Sequence, residues 1–246
     1  MDRMLYTAMS GAKQSLDRQA VVSHNLANVV TPGFRAQLSD MQAVPVTGEG
    51  LPTRVTVQAI TPGADYSQGP MTRTGRGLDV ALAENGWLAV QTPDGGEGYT
   101  RRGDLQVDGN GAVTVAGHAV MGDGGPLTVP LGSQLSIGSD GTISALEDGQ
   151  TPDSMATVGR LKLVTAMPNT LNRGDDGLFR SLDGQALPAD ANQRVATGVL
   201  EGSNVSATEA MVAMIDNARR YEMQMKVITS ADENAQRANS LLSLQG

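Results

Sequence analysis

The sequence predicts an α+β protein. A central antiparallel all-β domain, of barrel or sandwich type, is flanked by N- and C-terminal helices that form a coiled-coil layer. Three observations carry this. Near the C-terminus, Ala207, Met211, Met214, Ala218, Tyr221, Met225, Ile228, Ala235 and Leu242 recur at four- and three-residue spacing, with Asp232 and Asn239 in the same register. Near the N-terminus, Leu5, Met9, Ala12 and Leu16 do the same and, after the polar slots Gln19 and Ser23, so does Leu26. Between the two, the period falls to two and the chain is punctuated by Asp-Gly and Asn-Gly. The first pattern gives a helix one narrow apolar seam, which seeks another helix rather than a broad core. The second gives short strands joined by tight hairpins.

Taken in order, residues 1–33 are the N-terminal helix and its exit. Good helix formers fill it, Gly11 is a modest cost, and Thr31-Pro32-Gly33 ends it, because proline breaks the hydrogen-bond ladder and restricts the residue before it. Residues 34–75 read as an irregular or extended connector, broken by Pro45, Gly48, Gly50 and Pro52, with a strand-like run from Arg54 to Ile60. Residues 76–200 are the β-domain. Leu78–Leu82, Trp87–Gln91, Leu105–Val107, Ala112–Val115 and Gly159–Val164 alternate as strands do. Asn85-Gly86, Asp94-Gly95, Asp108-Gly109, Asn110-Gly111, Asp140-Gly141, Asp176-Gly177 and Asp183-Gly184 are the expected turns. Residues 201–246 are the long C-terminal helix. Ser206-Ala207-Thr208-Glu209 has the form of a capping box. At 1.5 Å per residue the helix is a rod of about 57 Å, too long for one compact β-domain to cover.

Composition narrows the function. The chain has 246 residues, 39% of them hydrophobic but only 3% aromatic, so its core is built from Val, Leu, Ile, Ala and Met. A formal charge of -8 argues against a nucleic-acid partner, which needs clustered Lys and Arg. With no cysteine, disulfides, thiolate catalysis and Cys-ligated metals are excluded. No apolar run approaches a membrane span, and Lys13, Asp17 and Arg18 interrupt any signal-peptide core, so neither membrane insertion nor a cleaved signal is expected.

Catalytic chemistry finds no constellation. His24 falls in the first helix and His118 in a hairpin, both read as ordinary hydrogen-bonding residues. Asp108-Gly109-Asn110-Gly111 begins like a calcium loop, but the position that needs a bidentate acid holds Ala119. Neither Gly75-Arg76-Gly77 nor Gly122–Gly125 has the spacing of a phosphate loop. No catalytic residue, cofactor or metal ligand is expected. The seam, by contrast, keeps a 3.5 period where an ordinary helix drifts off it, and its methionines suit a contact that repacks. A chain with such a helix at each end reads as part of an assembly.

The junction after the first helix is more specific. Asn25-Leu26-Ala27-Asn28-Val29-Val30-Thr31-Pro32-Gly33-Phe34-Arg35 resembles the Asn-Leu-Ala-Asn…Thr-Pro-Gly-Phe signature of bacterial flagellar axial proteins, the rod, hook and hook-associated family. Leu78–Val90, Tyr99–Gly111 and Gly198–Val205 resemble further segments of the same family, so the likeness covers nearly the whole chain. The opening Met1–Met9 and the compact length resemble the proximal-rod branch, with the distal-rod branch as the alternative.

The resemblance implies a non-enzymatic structural subunit of the basal-body rod. It would assemble helically through its terminal helices and link the membrane rotor to the distal rod and hook to transmit torque. Implied partners are proximal and distal rod subunits, copies of itself and the flagellar type III export apparatus, which delivers it to the periplasmic rod without a cleaved signal. Leu5, Met9, Ala12, Leu16, Leu26, Met211, Met214, Ala218, Tyr221, Met225, Ile228 and Leu242 are the expected assembly surface. Asn25, Leu26, Ala27, Asn28, Thr31, Pro32, Gly33 and Phe34 are the motif that shapes the helix exit. An extracytoplasmic carbohydrate-binding or hydrolase β-domain, which needs a cleft with converging polar groups, and a trimeric coiled-coil adhesin are the competing readings.

Overall fold

The computed structural model describes residues 2–45, 55–60, 63–147 and 155–243. The chain divides into two compact units. One gathers both ends of the chain and a piece of the region between them (Met1–Val29, Gln37–Ala64 and Val205–Gly246); the other holds Val30–Ala36 and Asp65–Asn204.

The first unit is built on two helices, α1 (Asp2–Ala27) and α2 (Ala207–Ser243). The α2 N-terminus is capped where the sequence places it: the Glu209 N–H donates to Ser206 Oγ at 3.3 Å. The helices lie against each other and run antiparallel. Gly11 packs against the Gln224 side chain, while Arg18, one heptad later on α1, lines a cleft with Asp216 and Asn217, one heptad earlier on α2. The region expected as an irregular or extended connector with a strand-like run at 54–60 contains a ribbon of two antiparallel strands, β1 (Asp40–Pro45) and β2 (Val55–Ile60), with Asp40 opposite Ile60. The ribbon packs on α1, and the Ser10 hydroxyl donates to the Val57 carbonyl at 3.2 Å. Gly48, Gly50 and Pro52 lie outside the described residues.

The second unit is all β. Its largest sheet has five strands in the order β15 (Leu163–Thr165), β5 (Gly86–Gln91), β6 (Glu97–Thr100), β17 (Phe179–Ser181), β16 (Leu171–Arg173), every neighbouring pair antiparallel. Two three-stranded sheets join it, β7 (Gln106–Val107), β8 (Val113–Val115), β9 (His118–Ala119) and β12 (Gln134–Ile137), β13 (Thr142–Leu146), β14 (Ala156–Arg160). Three pairs complete the frame: β4 (Val80–Leu82) with β18 (Val195–Thr197), β3 (Met71–Arg73) with β19 (Val199–Glu201), and β10 (Met121–Gly122) with β11 (Gly125–Pro126). The strands are antiparallel as expected, but they are spread over several small sheets and do not close into a barrel. Closure needs a continuous staggered ladder, and strands of two or three residues joined by tight turns do not sustain one.

A single apolar cluster fills this unit. Val80, Leu88, Val90, Leu105, Val120, Ile143, Leu161 and Leu163 are essentially inaccessible to water. Trp87, Phe179 and Tyr66 stack beside it, with Trp87 and Phe179 ring centres 4.7 Å apart. The turns follow the chemistry of their residues. Gly95, Gly111, Gly141, Gly177 and Gly184 take positive φ, whereas at Asn85-Gly86 the asparagine takes it and the glycine begins β5.

Candidate functional site

Two constructions stand out, one in each unit. In the β unit the chain enters at residues 30–36 and leaves at 201–204, and the two passages run side by side. Thr31-Pro32-Gly33-Phe34 has the features of a type II turn: proline second, a positive φ of 63° at Gly33, and the Phe34 N–H donating to the Thr31 carbonyl at 3.3 Å. The Gly33 N–H donates to the Glu201 carbonyl at 2.8 Å, and a Cβ on Gly33 would overlap the Arg101 backbone carbonyl. Glycine is therefore required twice, for conformation and for space. Phe34 is buried, with the Arg173 guanidinium 4.7 Å from its ring centre. The Asn204 side chain ties the passages from the other side. Its Oδ1 accepts from the Ala36 N–H at 2.7 Å, and its Nδ2 donates to the Asp65 and Ser67 carbonyls.

At the centre sits a fully buried ion cluster. Glu201 Oε1 meets Arg35 at 2.6 Å, and its Oε2 meets Arg101 at 2.5 Å. The Gly69 N–H donates to Oε1 at 3.1 Å. Arg101 also donates to the Leu82, Ala83 and Gly86 carbonyls, and Arg35 to that of Ser67. Burial pushes the Arg35 guanidinium below its usual range, and Glu201 opposes the shift. Buried charges persist only when paired and hydrogen-bonded, and this cluster meets that condition through residues far apart in sequence. None of the three was among the expected site residues. Each lies inside a stretch that carried the family resemblance, and its place in that motif was the available signal.

In the helical unit the motif asparagines shape the exit of α1. Asn25 bonds the Gln37 peptide with both ends of its amide: Nδ2 donates to the carbonyl at 2.9 Å, and Oδ1 accepts from the N–H at 2.8 Å. Asn28 Nδ2 donates to the His24 carbonyl at 2.9 Å, satisfying a last-turn acceptor. Leu26 is half-buried and Ala27 exposed.

The helix faces place the expected assembly residues in two columns. Leu5, Ala12, Leu26, Met214, Tyr221 and Ile228 lie on the inner column, buried or half-buried. Met9, Leu16, Met211, Ala218 and Met225 are exposed; Met9 is 58% accessible and Met211 54%. The side chain of Leu242 lies outside the described residues. The other half of the contact face is one residue away, at Ala8, Ser15 and Val22 on α1 and at Ala210, Asn217, Gln224, Ala231 and Ala238 on α2. Hydrophobic spacing did not find these positions, because all but Val22 are small or polar. Val212, Ile215 and Met223 widen the exposed apolar surface of α2.

Among the described residues no group of acidic, histidine or cysteine side chains could hold a metal. The Asp108 loop is a pair of overlapping turns, with Oδ1 accepting from the Asn110 and Ala112 N–H groups. No helix is long and apolar enough to cross a membrane among the described residues.

Three family models match the chain. The model described as "Flagella basal body rod protein" covers residues 5–35, "Flagellar hook protein FlgE/F/G D1 domain" residues 81–145, and "Flagellar basal body rod FlgEFG protein C-terminal" residues 196–241. The first takes in α1 and its exit turn, and the last takes in β18, β19, Glu201 and most of α2. The chain is 57% identical over 250 residues to the flagellar basal-body rod proteins FlgF of Salmonella typhimurium and of Escherichia coli, covering 99% of this chain and 100% of each relative. It is 32% identical over 260 residues to the flagellar basal-body rod protein FlgG of Bacillus subtilis, covering 95% of this chain and 96% of that one.

Proposed function

Because the chain belongs to the flagellar basal-body rod protein family and is a structural subunit of the rod, we propose that it assembles helically through its two terminal helices, pairing with copies of itself and with other rod subunits. Its place is the proximal rod, where it links the membrane rotor to the distal rod and hook and carries torque. The greater identity to relatives named FlgF than to the one named FlgG supports the proximal position. Export through the flagellar type III apparatus, without a cleaved signal, delivers it to the periplasmic rod. Its work is mechanical and needs no catalysis or cofactor.

The observation that carries this reading is the arrangement of apolar residues on α1 and α2. Small residues line the contact between the helices together with Leu5, Leu26, Met214, Tyr221 and Ile228, while Met9, Leu16, Met211 and Met225 face water. Large apolar side chains concentrated on one surface mark a site of association, and methionine adapts to more than one neighbour. Leu5, Ala12, Leu26, Met214, Tyr221 and Ile228 form the inner wall of the assembled layer, and Met9, Leu16, Met211, Ala218 and Met225 meet neighbouring subunits. Open helical growth follows when such contacts are head-to-tail.

The test is Met214→Glu in the full-length chain, expressed in a strain lacking the wild-type gene. The expected result is a folded β unit, no incorporation into purified basal bodies and no motility. Normal motility would refute assembly through this face.

A further inference from the structure

After β17 the chain makes a tight turn, Ser181-Leu182-Asp183-Gly184. The Gly184 N–H donates to the Ser181 carbonyl at 3.1 Å, and Gly184 takes a positive φ of 68°. The Leu182 N–H donates to the Thr170 carbonyl at 3.0 Å, which ties the tip to the neighbouring passage. The turn therefore holds two side chains in water at a fixed spacing: Leu182, 61% exposed, and Asp183. Leu131 and Met167 are as exposed, but neither has an acidic neighbour in sequence.

The same unit carries a trough of about 510 Å³. Met71, Ala196 and Val199 line it together with Arg73 and Arg194. Both arginines are exposed, and Arg194 donates to the Ala191 and Gln193 carbonyls. Among the described residues neither arginine makes an ion pair, and nor does Asp183, whereas Arg76, Arg102, Lys162 and Arg180 each hold a carboxylate. In a chain of net charge -8, two cations without an anion, set among apolar side chains, are the complement of a turn that bears a leucine and a carboxylate.

The two features lie at opposite ends of the five-stranded sheet. Gln91 pairs with Glu97 at one end, and Gly86 with Thr165 at the other. With Phe179 opposite Tyr99 on the antiparallel β6, β17 runs towards the first end, and the turn follows it. At the second end, just before β5, the Ala83 N–H donates to the Arg194 carbonyl at 3.1 Å. One copy cannot close this contact on itself. Unlike surfaces at opposite ends join copies head to tail.

We propose that the Leu182-Asp183 turn of one copy docks in the trough of a second copy, with the leucine against Met71 and Val199 and the carboxylate on Arg73 and Arg194. The place of this contact in an assembled rod rests on the rod reading above; the contact itself does not. A single turn buries far less than the roughly 1,200 Å² of a stable interface, so the contact is weak and is read by trapping it.

The chain has no cysteine, so introduced thiols report on this contact alone. Full-length Gln185→Cys, beside the turn, and Gln68→Cys, in the trough, are mixed and treated with a short bismaleimide; both side chains are exposed, and the docking residues stay intact. The mixed dimer should exceed each homodimer by about tenfold, with Leu131→Cys in place of Gln185→Cys as the background. Adding Asp183→Arg to the first protein should lower the mixed product about tenfold, and Arg73→Asp with Arg194→Asp in the second should then restore it to within about threefold. A yield at background, an Asp183→Arg variant without effect, or a charge exchange that restores nothing overturns the proposal. So do basal bodies in which Gln68→Cys is trapped only on a different rod subunit, which would give the trough to that subunit. The purified mixture tests the contact without any rod, and incorporation into basal bodies is scored separately, so a failure of the rod reading is not mistaken for a failure of the contact.

Discussion

The two units bury opposite kinds of residue. In the β unit the inaccessible side chains are large: Tyr99, Leu88, Leu105, Ile143, Leu161 and Leu163. In the helical unit they are small or polar, as with Ala8, Ala12, Ser15, Ala210, Asn217 and Ala231, while the large apolar side chains are at most half-buried and Met9, Leu16, Met211, Ile215 and Met223 lie outside. Burial of a Leu or Ile contributes about 1.5–3 kcal/mol and burial of an alanine far less, so the β unit holds a core of its own and the helices hold a thin one. The difference is that between a finished domain and a surface awaiting neighbours. A long helix with one weakly buried face gains most of its stability on association.

Breaking the buried charge cluster should produce the largest effect, and it should fall on the β unit. Glu201→Ala leaves Arg35 and Arg101 buried without their anion, at a cost of about 3–5 kcal/mol. Urea unfolding followed by Trp87 fluorescence should show a sharply lowered midpoint. A midpoint near the wild-type value would mean that solvent reaches the site.

The glycines separate the units next. Gly33→Ala meets the Arg101 backbone and an unfavourable φ, and should cost at least about 1–3 kcal/mol. Gly11→Ala meets only the amide end of Gln224, 2.9 Å away on a flexible side chain, and gains up to about 1 kcal/mol of helix propensity. Thermal unfolding of the two variants should differ in sign or clearly in size; equal losses would erase the contrast between a rigid and an adaptable unit.

Met225→Ser sharpens the comparison from the other direction. Its side chain is partly exposed in the single chain, so stability should change by less than about 0.5 kcal/mol, while incorporation into basal bodies should fall severalfold. A variant that incorporates normally would remove Met225 from the assembly surface.

The smallest effect concerns pH. The side-chain hydrogen bond from Arg180 holds the Asp176 carboxyl below the usual carboxylate range. A carboxylate with a depressed folded-state value adds stability that is complete above its unfolded value, about 3.9, and is lost as pH falls through the folded one. The pair is partly exposed, so Asp176→Asn should cost well under about 1 kcal/mol at neutral pH, and the difference from wild type should vanish in acid. A difference that grows on acidification would contradict this sign.

Much of the molecule was legible in its residues. The alternation of Trp87–Gln91 and the turn dipeptides located β5 and most hairpins, because pleat period and positive φ are local properties. Ser206 and Glu209 located the start of α2 for the same reason. The helical seam was half legible. Its inner column stood out by hydrophobicity, but spacing drew in Met9, Leu16, Met211 and Met225 in place of Ala8, Ser15, Ala210 and Asn217. A pattern of apolar residues registers what is greasy, not what is covered, and on these helices the two differ by one position. Residues 55–60 read as strand-like, but their partner at 40–45 read as connector, because a two-stranded ribbon packed on α1 leaves little alternation in its outer strand.

What the sequence by itself determined, then, is the order of elements, the turns, the helix ends and the family. Tertiary structure alone decided which helix face is inside, that the strands divide among several sheets, and that Arg35, Arg101 and Glu201 meet. The reason is range. Backbone conformation answers to near neighbours along the chain, whereas burial and charge pairing answer to residues as far apart as Arg35 and Glu201, whose proximity no spacing rule encodes.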